Sequence, residues 1–288
     1  MTLDRADAVR RVGAWFDENR RDLPWRSSTP WGVLVSEFML QQTPVSRVLG
    51  PWQEWLERWP EPDDLAAEEP GAAVAAWGRL GYPRRAQRLH RAATVISERH
   101  GGRVPQGLDE LRALPGVGQY TAAAIHSFAF GGRAVVLDTN IRRLLCRLEQ
   151  GKQFPPQSAT VAEWRDAERW LPESPAQAAH WAAASMELGA LVCTARSPRC
   201  DDCPVRELCA WRSAGYPRHE GPPRRAQAWH GTDRQCRGVL LDLVRQNPDG
   251  VRIELALEAW ADREQAERSL SGLINDELLR ADQGLLRL

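Results

Sequence analysis

Apolar residues recur at helical spacing through most of the first two hundred positions. Leu3, Val9, Val12, Trp15 and Phe16 form a first stripe. Thr29-Pro30 predicts a helix start, threonine capping and proline in the first turn, and Trp31, Leu34, Val35 and Phe38 follow at i, i+3, i+4 and i+7. Thr43-Pro44 repeats that signal ahead of Trp52, Trp55 and Trp59. Further helical periods cover 71–77, 83–100, 108–114, 120–130, 140–148, 158–170 and 175–191. No alternating strand pattern interrupts them, so an all-α core is expected. From Gly215 the run Gly-Tyr-Pro-Arg-His-Glu-Gly-Pro-Pro-Arg-Arg is too rich in proline and glycine for a helix and predicts a linker over 215–231. Two more helical periods, 233–246 and 263–277, precede a tail, 278–288, that alternates around Gly284 as a β-hairpin does. Helices closed by a terminal hairpin predict a small winged-helix-like module over 232–288.

Composition narrows the class without deciding it. The 288 residues are 43% hydrophobic and 26% charged, which excludes wholesale disorder. No stretch approaches the roughly 18 apolar residues of a membrane span. The first residues show no apolar signal core either, so the cytoplasm is the expected compartment. Basic and acidic residues balance at 38 each, but unevenly along the chain. Arg84, Arg85, Arg88, Arg91, Arg99 and Arg103 face Glu98 alone between 83 and 103, while 61–70 is wholly acidic. A basic stretch on a neutral chain suits a nucleic-acid face, and equally a solvated helix face. Lys152 is the only lysine. Arginine stays protonated, so Schiff-base chemistry would have to use Lys152 or the N-terminal amine.

Four of six cysteines, Cys193, Cys200, Cys203 and Cys209, fall within one segment spaced x6, x2 and x5. Disulfides are not expected in a reducing compartment. Zinc would favour two Cys-x2-Cys knuckles and only Cys200–Cys203 has that spacing, so an iron–sulfur cluster is the stronger of two open readings. Arg196, Arg199, Arg206 and Arg212 surround the segment and could meet a phosphate backbone. Cys146 and Cys236 read as buried free thiols.

Leu114-Pro115-Gly116-Val117-Gly118 lies between two helical periods. Its glycines either leave N–H groups open to a phosphate at a helix start or simply make a tight turn. Glu37 is the one ionisable side chain between Trp31 and Gln41, amid Val33, Leu34, Val35, Phe38, Met39 and Leu40. Such company raises a carboxyl pKa and suits an acid, unless the head simply reaches solvent. Asp138 follows Val135-Val136-Leu137 and reads as an N-cap, where the helix dipole keeps it ionised. Two carboxyls in opposed environments suit glycosidic cleavage: one protonates the leaving group and the other meets the cationic sugar.

Taken together these residues resemble the MutY-type adenine DNA glycosylases of the helix-hairpin-helix superfamily. The resemblance runs from Val12 to Cys209. It is carried by Leu23-Pro24-Trp25-Arg26, Ser36-Glu37-Phe38-Met39-Leu40-Gln41-Gln42-Thr43, Gly81-Tyr82, the 114–124 hairpin, Leu137-Asp138-Thr139-Asn140, Glu187-Leu188-Gly189-Ala190 and the four cysteines. It implies a glycosylase core over 1–214, with a six-helix barrel over 21–131 and a cluster-bearing half formed by 1–20 and 132–214. It further implies one four-iron four-sulfur cluster on Cys193, Cys200, Cys203 and Cys209, and a monomer acting on double-stranded DNA. Adenine mispaired with 8-oxoguanine or guanine would be everted from the duplex. Glu37 would protonate its ring at N7, and Asp138 would stabilise or briefly bond the sugar cation. Tyr120 and Asn140 would orient those groups and the water. Gln42, Thr43, Leu80 and Tyr82 match positions that contact or wedge beside the opposing lesion, Gln41 and Arg26 line the same region, and Gly116, Val117 and Gly118 form the DNA-binding hairpin.

Two features separate neighbouring readings. In the endonuclease III branch a lysine stands where this chain has Tyr120, so strand excision should give way to simple base removal; a thymine/uracil branch shares the tyrosine but lacks the acid of Glu37. Typical relatives also carry a Nudix-like domain that reads 8-oxoguanine through a Phe-Ser-His loop. The 57 residues after Gly231 hold no such motif and are too few for that domain, resembling compact actinobacterial forms. The alternatives are a bifunctional lyase for oxidised pyrimidines and a non-catalytic DNA-binding module.

Overall fold

The computed structural model describes residues 4–219, 221 and 229–288. Leu3 of the first stripe, and Glu220 and 222–228 of the expected linker, lie outside the described residues. The all-α expectation for the core holds: helix follows helix from Arg5 to Ser213, and the strands lie in the last forty residues. The chain divides into two compact units, one built from 1–33, 106–112 and 117–223, the other from 34–105, 113–116 and 224–288.

In the first unit, helix Pro175–Leu191 is packed against Arg5–Asn19, Gln119–Phe130 and Thr139–Gln150. Its alanines and Gly189 supply the small side chains that three-sided burial requires. Val12, Phe16, Leu144, Leu148, Trp170, Trp181 and Leu188 fill the core, with Trp170 stacked on Trp181 at 5.4 Å. Asp4, Asp138 and Thr160 each cap a helix by accepting from a backbone N–H three residues on.

In the second unit, Pro62–Ala66 and Pro70–Ala76 pack against Arg84–His100, and the buried Trp55 of helix Val45–Arg58 has its ring 4.6 Å from that of Trp59 and 5.7 Å from that of Trp77. The acidic run 61–70 is partly a short helix, closed by a capping box between Glu61 and Asp64. Thr43 departs from its expected role. Helix Val45–Arg58 is entered through Pro44 without a side-chain cap, while the Thr43 hydroxyl accepts from Arg85 at 3.0 Å and lies 3.4 Å from the Leu80 carbonyl.

The winged-helix-like module is present in the order helix Asp233–Arg245, β1 (Val251–Arg252), helix Ile253–Glu258, helix Arg263–Asn275, β2 (Arg280–Asp282), β3 (Leu285–Arg287). The sheet is antiparallel in the order β1-β3-β2. Gln283 and Gly284, both with positive φ, make the two-residue turn that alternation around Gly284 announced. Strand β1 and the helix after it were not legible, being too short to show a period. The module does not stand apart as the expected boundaries imply: its residues share a unit with 34–105. Arg245 donates to the Val74 carbonyl at 3.1 Å, and Gln87 donates to the carbonyls of Asp276 (3.1 Å) and Glu277 (2.7 Å). Three arginines of the basic stretch are thereby accounted for, since Arg84 pairs with Asp276, Arg91 with Glu277, and Arg85 is buried.

Candidate active site and metal centre

Glu37 sits on helix Pro30–Leu40, entered through Thr29, which accepts from the Gly32 N–H at 3.2 Å. Trp31, Val33, Leu34, Val35, Phe38 and Met39 are all buried, and Glu37 with them at 6% exposure. The reading in which its head reaches open solvent is set aside. One turn later the chain leaves the helix, and Gln42 takes a left-handed φ of 57°.

Arg85, which sequence reasoning treated only as charge, organises this corner. Its Nη1 donates to the carbonyls of Phe38 (2.9 Å), Met39 (3.0 Å) and Gln41 (2.5 Å), and its Nη2 to Thr43 Oγ1 (3.0 Å), Leu80 (3.4 Å) and Gly81 (2.9 Å). Burial lowers its pKa to about 10, still protonated near neutrality. One guanidinium thus ties the Gln41–Thr43 turn to the Leu80–Tyr82 turn. Replacing it by methionine leaves several buried carbonyls without a donor and is expected to cost about 3 kcal/mol, roughly 6–12 °C in a thermal melt. Lysine, a point charge without the fork, is expected to restore less than half of that. A melt within about 2 °C of the parent would refute the assignment. Of the expected contact residues nearby, Tyr82 is 46% exposed, whereas Leu80 is 4% exposed and lines the same cleft as Gln41, Gln42 and Tyr82.

The hairpin joins helices Leu108–Ala113 and Gln119–Phe130. Gly116 has φ of 83° and no room for a Cβ, which would meet Arg88 Cβ at 2.8 Å and Phe38 Cε1 at 2.9 Å. Gly118 is the extended N-cap residue and open on its outer side, while Val117 is buried. The tight turn is therefore real. Tyr120 is half-buried at the start of the second helix, against the first unit's core.

Asp138 caps helix Thr139–Gln150. Its Oδ1 accepts from Ile141 N at 2.7 Å and its Oδ2 from Asn140 Nδ2 at 2.8 Å. The expected N-cap is present, and the surrounding protein adds a second influence on its acidity. Crowding by protein raises its pKa, and the Ile141 and Asn140 hydrogen bonds and the Arg143 charge only partly oppose this. The residue nonetheless keeps some solvent-accessible surface, so its carboxyl is crowded but not sealed. Behind it, Arg143 donates through Nη2 to Asn140 Oδ1 (2.8 Å) and to the Gly189 carbonyl (2.6 Å), and through Nε to the Cys193 carbonyl (2.8 Å). A Cβ on Gly189 would fall 2.8 Å from Asn140 Cβ, which explains why a glycine stands there. Glu187, two residues earlier, accepts from Arg21 N (2.8 Å), Arg21 Nε (3.0 Å) and Arg21 Nη2 (2.5 Å) and pairs with Arg26 at 3.2 Å. Burial alone would raise its pKa, but these partners hold it below the usual range. Arg26, expected among the DNA contacts, also donates to the Arg21 carbonyl and lies 5.0 Å over Phe16. The motifs around Arg26 and Glu187 thus meet in one ion-pair network whose carboxylate is buried and whose two arginines are partly exposed.

Cys193, Cys200, Cys203 and Cys209 line one cavity of about 20 Å³ with Arg147 among them. Arg147, almost wholly buried, donates to Cys193 Sγ at 3.2 Å and to the Thr194 carbonyl at 2.8 Å, and stacks over Trp211. Burial pushes the Cys203 thiol up to about 12, and the neighbouring thiols raise it further. Four soft donors that penalise one another's ionisation fit a group that brings its own positive charge. Cys146 and Cys236 are buried and unbridged, as expected.

The helical frame and the four-cysteine segment are those of a helix-hairpin-helix DNA glycosylase, as comparison with known proteins shows. Residues 35–169 match the HhH-GPD superfamily of base excision DNA repair proteins, and 193–209 match the iron–sulfur binding domain of endonuclease III. An adenine DNA glycosylase of Mycobacterium tuberculosis is 48% identical over 92% of this chain and 88% of its own length. One of Mycolicibacterium smegmatis is 47% identical over 92% and 90%. Among solved structures, a thermostable thymine-DNA glycosylase aligns at a TM-score of 0.66 and 27% identity, over 73% of this chain and 97% of that one. The chain belongs to the family of MutY-type adenine DNA glycosylases. It carries a four-iron four-sulfur cluster, for which Cys193, Cys200, Cys203 and Cys209 are the fitting ligands; the group supplies a rigid tether for the segment that bears it.

Proposed function

We propose that this chain hydrolyses the N-glycosidic bond of adenine mispaired with 8-oxoguanine or guanine in double-stranded DNA and leaves the sugar–phosphate strand uncut. The observation that carries the reading is Glu37, a buried carboxyl on an apolar helix, the setting of a proton donor. Glu37 delivers its proton to adenine N7 and the C1′–N9 electron pair leaves with the base. The carboxylate of Asp138, held by Asn140 and Ile141, stabilises the cationic sugar or bonds it transiently until water adds at C1′, its released proton returning to the Glu37 carboxylate. Tyr120 and Asn140 orient the reacting groups. Gln41, Gln42, Thr43, Leu80 and Tyr82 serve the strand opposite, and Gly116, Val117 and Gly118 the phosphates.

Base removal without strand scission is supported by the lysine census. Lys152 follows the far end of the 12-residue helix that Asp138 caps, about 18 Å away at 1.5 Å per residue. No other lysine exists to form a Schiff base. The exposed Arg196, Arg199, Arg206 and Arg212 suit a phosphate backbone. Among the described residues no helix is long and apolar enough to cross a membrane, and the reading is of a cytoplasmic monomer.

The test is single-turnover release of adenine from duplexes pairing it with 8-oxoguanine, guanine and cytosine. The first two are expected to react at least about tenfold faster than the third, with strand breaks only after alkali or heat. Equal rates on all three would remove the mispair claim, and borohydride trapping of a protein–DNA adduct in good yield would favour the lyase alternative.

A further inference from the structure

Within the second unit, the C-terminal segment and the Arg79–Tyr82 turn enclose a cleft of about 1190 Å³. Eight arginines and only two acids, Asp242 and Asp276, line it. Arg79 pairs with Asp242, while Arg84 and Arg237 share Asp276, so the cleft keeps a net positive charge. Arg88 is exposed at its wall. The cleft also presents two large aromatic faces. Tyr82 and Trp229 are each 46% exposed, and Tyr82 is held at a φ of 50°, a conformation a tyrosine adopts only under constraint. The Arg234 guanidinium lies 5.9 Å from the Tyr82 ring and 5.3 Å from Trp229, with Nη1 3.4 Å from the Tyr82 hydroxyl.

Alternating aromatic and guanidinium planes beside clustered cations form the chemistry that receives an unstacked nucleotide: a ring to stack, donors for a purine edge, and charge for the flanking phosphates. A duplex offers such a nucleotide without further cost at only one place. When a base is everted, its partner is left unpaired, and engaging it breaks no other base pair. Gln41 and Gln42, which also line the cleft, follow directly on the helix that carries Glu37. That places the cleft about one helical turn along the chain from the proposed acid. We propose that Trp229 and Arg234 of the C-terminal segment, with Tyr82, hold the unpaired purine opposite the everted adenine. This rests on the reading of the chain as an adenine glycosylase, and gives the compact module a part in choosing the mispair.

The experiment is a binding cycle with the full chain, as parent, Trp229→Ala and Arg234→Ala. The duplexes carry 2′-fluoro-2′-deoxyadenosine, which resists cleavage, opposite 8-oxoguanine, guanine or an abasic site. Each variant is expected to weaken binding to the two purine duplexes by roughly tenfold, the loss of one stacking or bidentate partner. On the abasic duplex the expected change is less than about twofold. Melting curves overlaying the parent's confirm that both variants are folded. Equal weakening on all three duplexes assigns the side chains to backbone alone and overturns the proposal, as does no weakening on any. Adenine release by the parent from cleavable duplexes is scored separately. Its failure refutes the glycosylase reading, whereas release with a flat binding cycle refutes only the cleft.

Discussion

Glu37→Gln is expected to abolish measurable adenine release while leaving DNA binding within about threefold of the parent. The substitution keeps the shape of a side chain that is 6% exposed, so the helix that carries it has no packing reason to unfold. What disappears is the proton. Unprotonated adenine must depart as an anion and is a poor leaving group, and positioned acid catalysis contributes about 10²–10⁴-fold. The loss should therefore reach about 10³-fold or more in single-turnover rate. It should not be recovered by raising enzyme concentration, because binding is not what failed. A restored rate on a substrate whose base leaves without N7 protonation would strengthen the assignment. Release at the parental rate on adenine itself would end it.

The burial of Glu37 could be read from its neighbours, whereas the role proposed for it came only with the resemblance. An ionisable side chain among six apolar ones on a continuous helix has few ways out. The same logic made the helical frame legible, since periodicity and the Thr29-Pro30 start record a local geometry. The four cysteines were legible for the opposite reason: their chemistry is so specific that spacing alone narrows it.

Arg85 was not legible. Its role arises from carbonyls at Phe38, Gln41, Leu80 and Gly81, and a backbone oxygen leaves no mark in the sequence. Thr43 misled for a related reason, because Thr-Pro before a helix resembles a cap whether or not the hydroxyl is already taken. The upward push on the Asp138 pKa left no mark in the sequence, since a cap is local, whereas crowding around the carboxyl comes from the tertiary fold. The module's docking was hidden for the same cause. Arg84 and Arg91 read as free surface charge until Asp276 and Glu277, nearly two hundred residues away, are set beside them.

Arg143 shows the strongest consequence of such non-local contacts. It hydrogen-bonds Asn140, the Gly189 carbonyl and the carbonyl of the cluster ligand Cys193 together. Removing it strips Asn140 Oδ1 of its donor, frees the amide to turn, and loosens its hold on Asp138. Arg143 is therefore a positioning residue, and Arg143→Ala is expected to slow adenine release by about 10²-fold, the scale of misplacing a reacting group by roughly 1 Å. A purely structural role would also lower the melting temperature, so a second readout is needed, and the pH profile provides it. Both the Asn140 hydrogen bonds and the Arg143 charge lower the Asp138 pKa, against a larger upward push from burial. Losing them raises that pKa further. Because the ionised carboxylate is the form that meets the sugar cation, the acid limb of the single-turnover rate must move to higher pH in Arg143→Ala. Arg143→Lys, which keeps the charge but cannot span three acceptors, should shift the limb less while remaining slow. A slowed variant whose acid limb coincides with the parent's would show that Arg143 supports the fold without tuning Asp138.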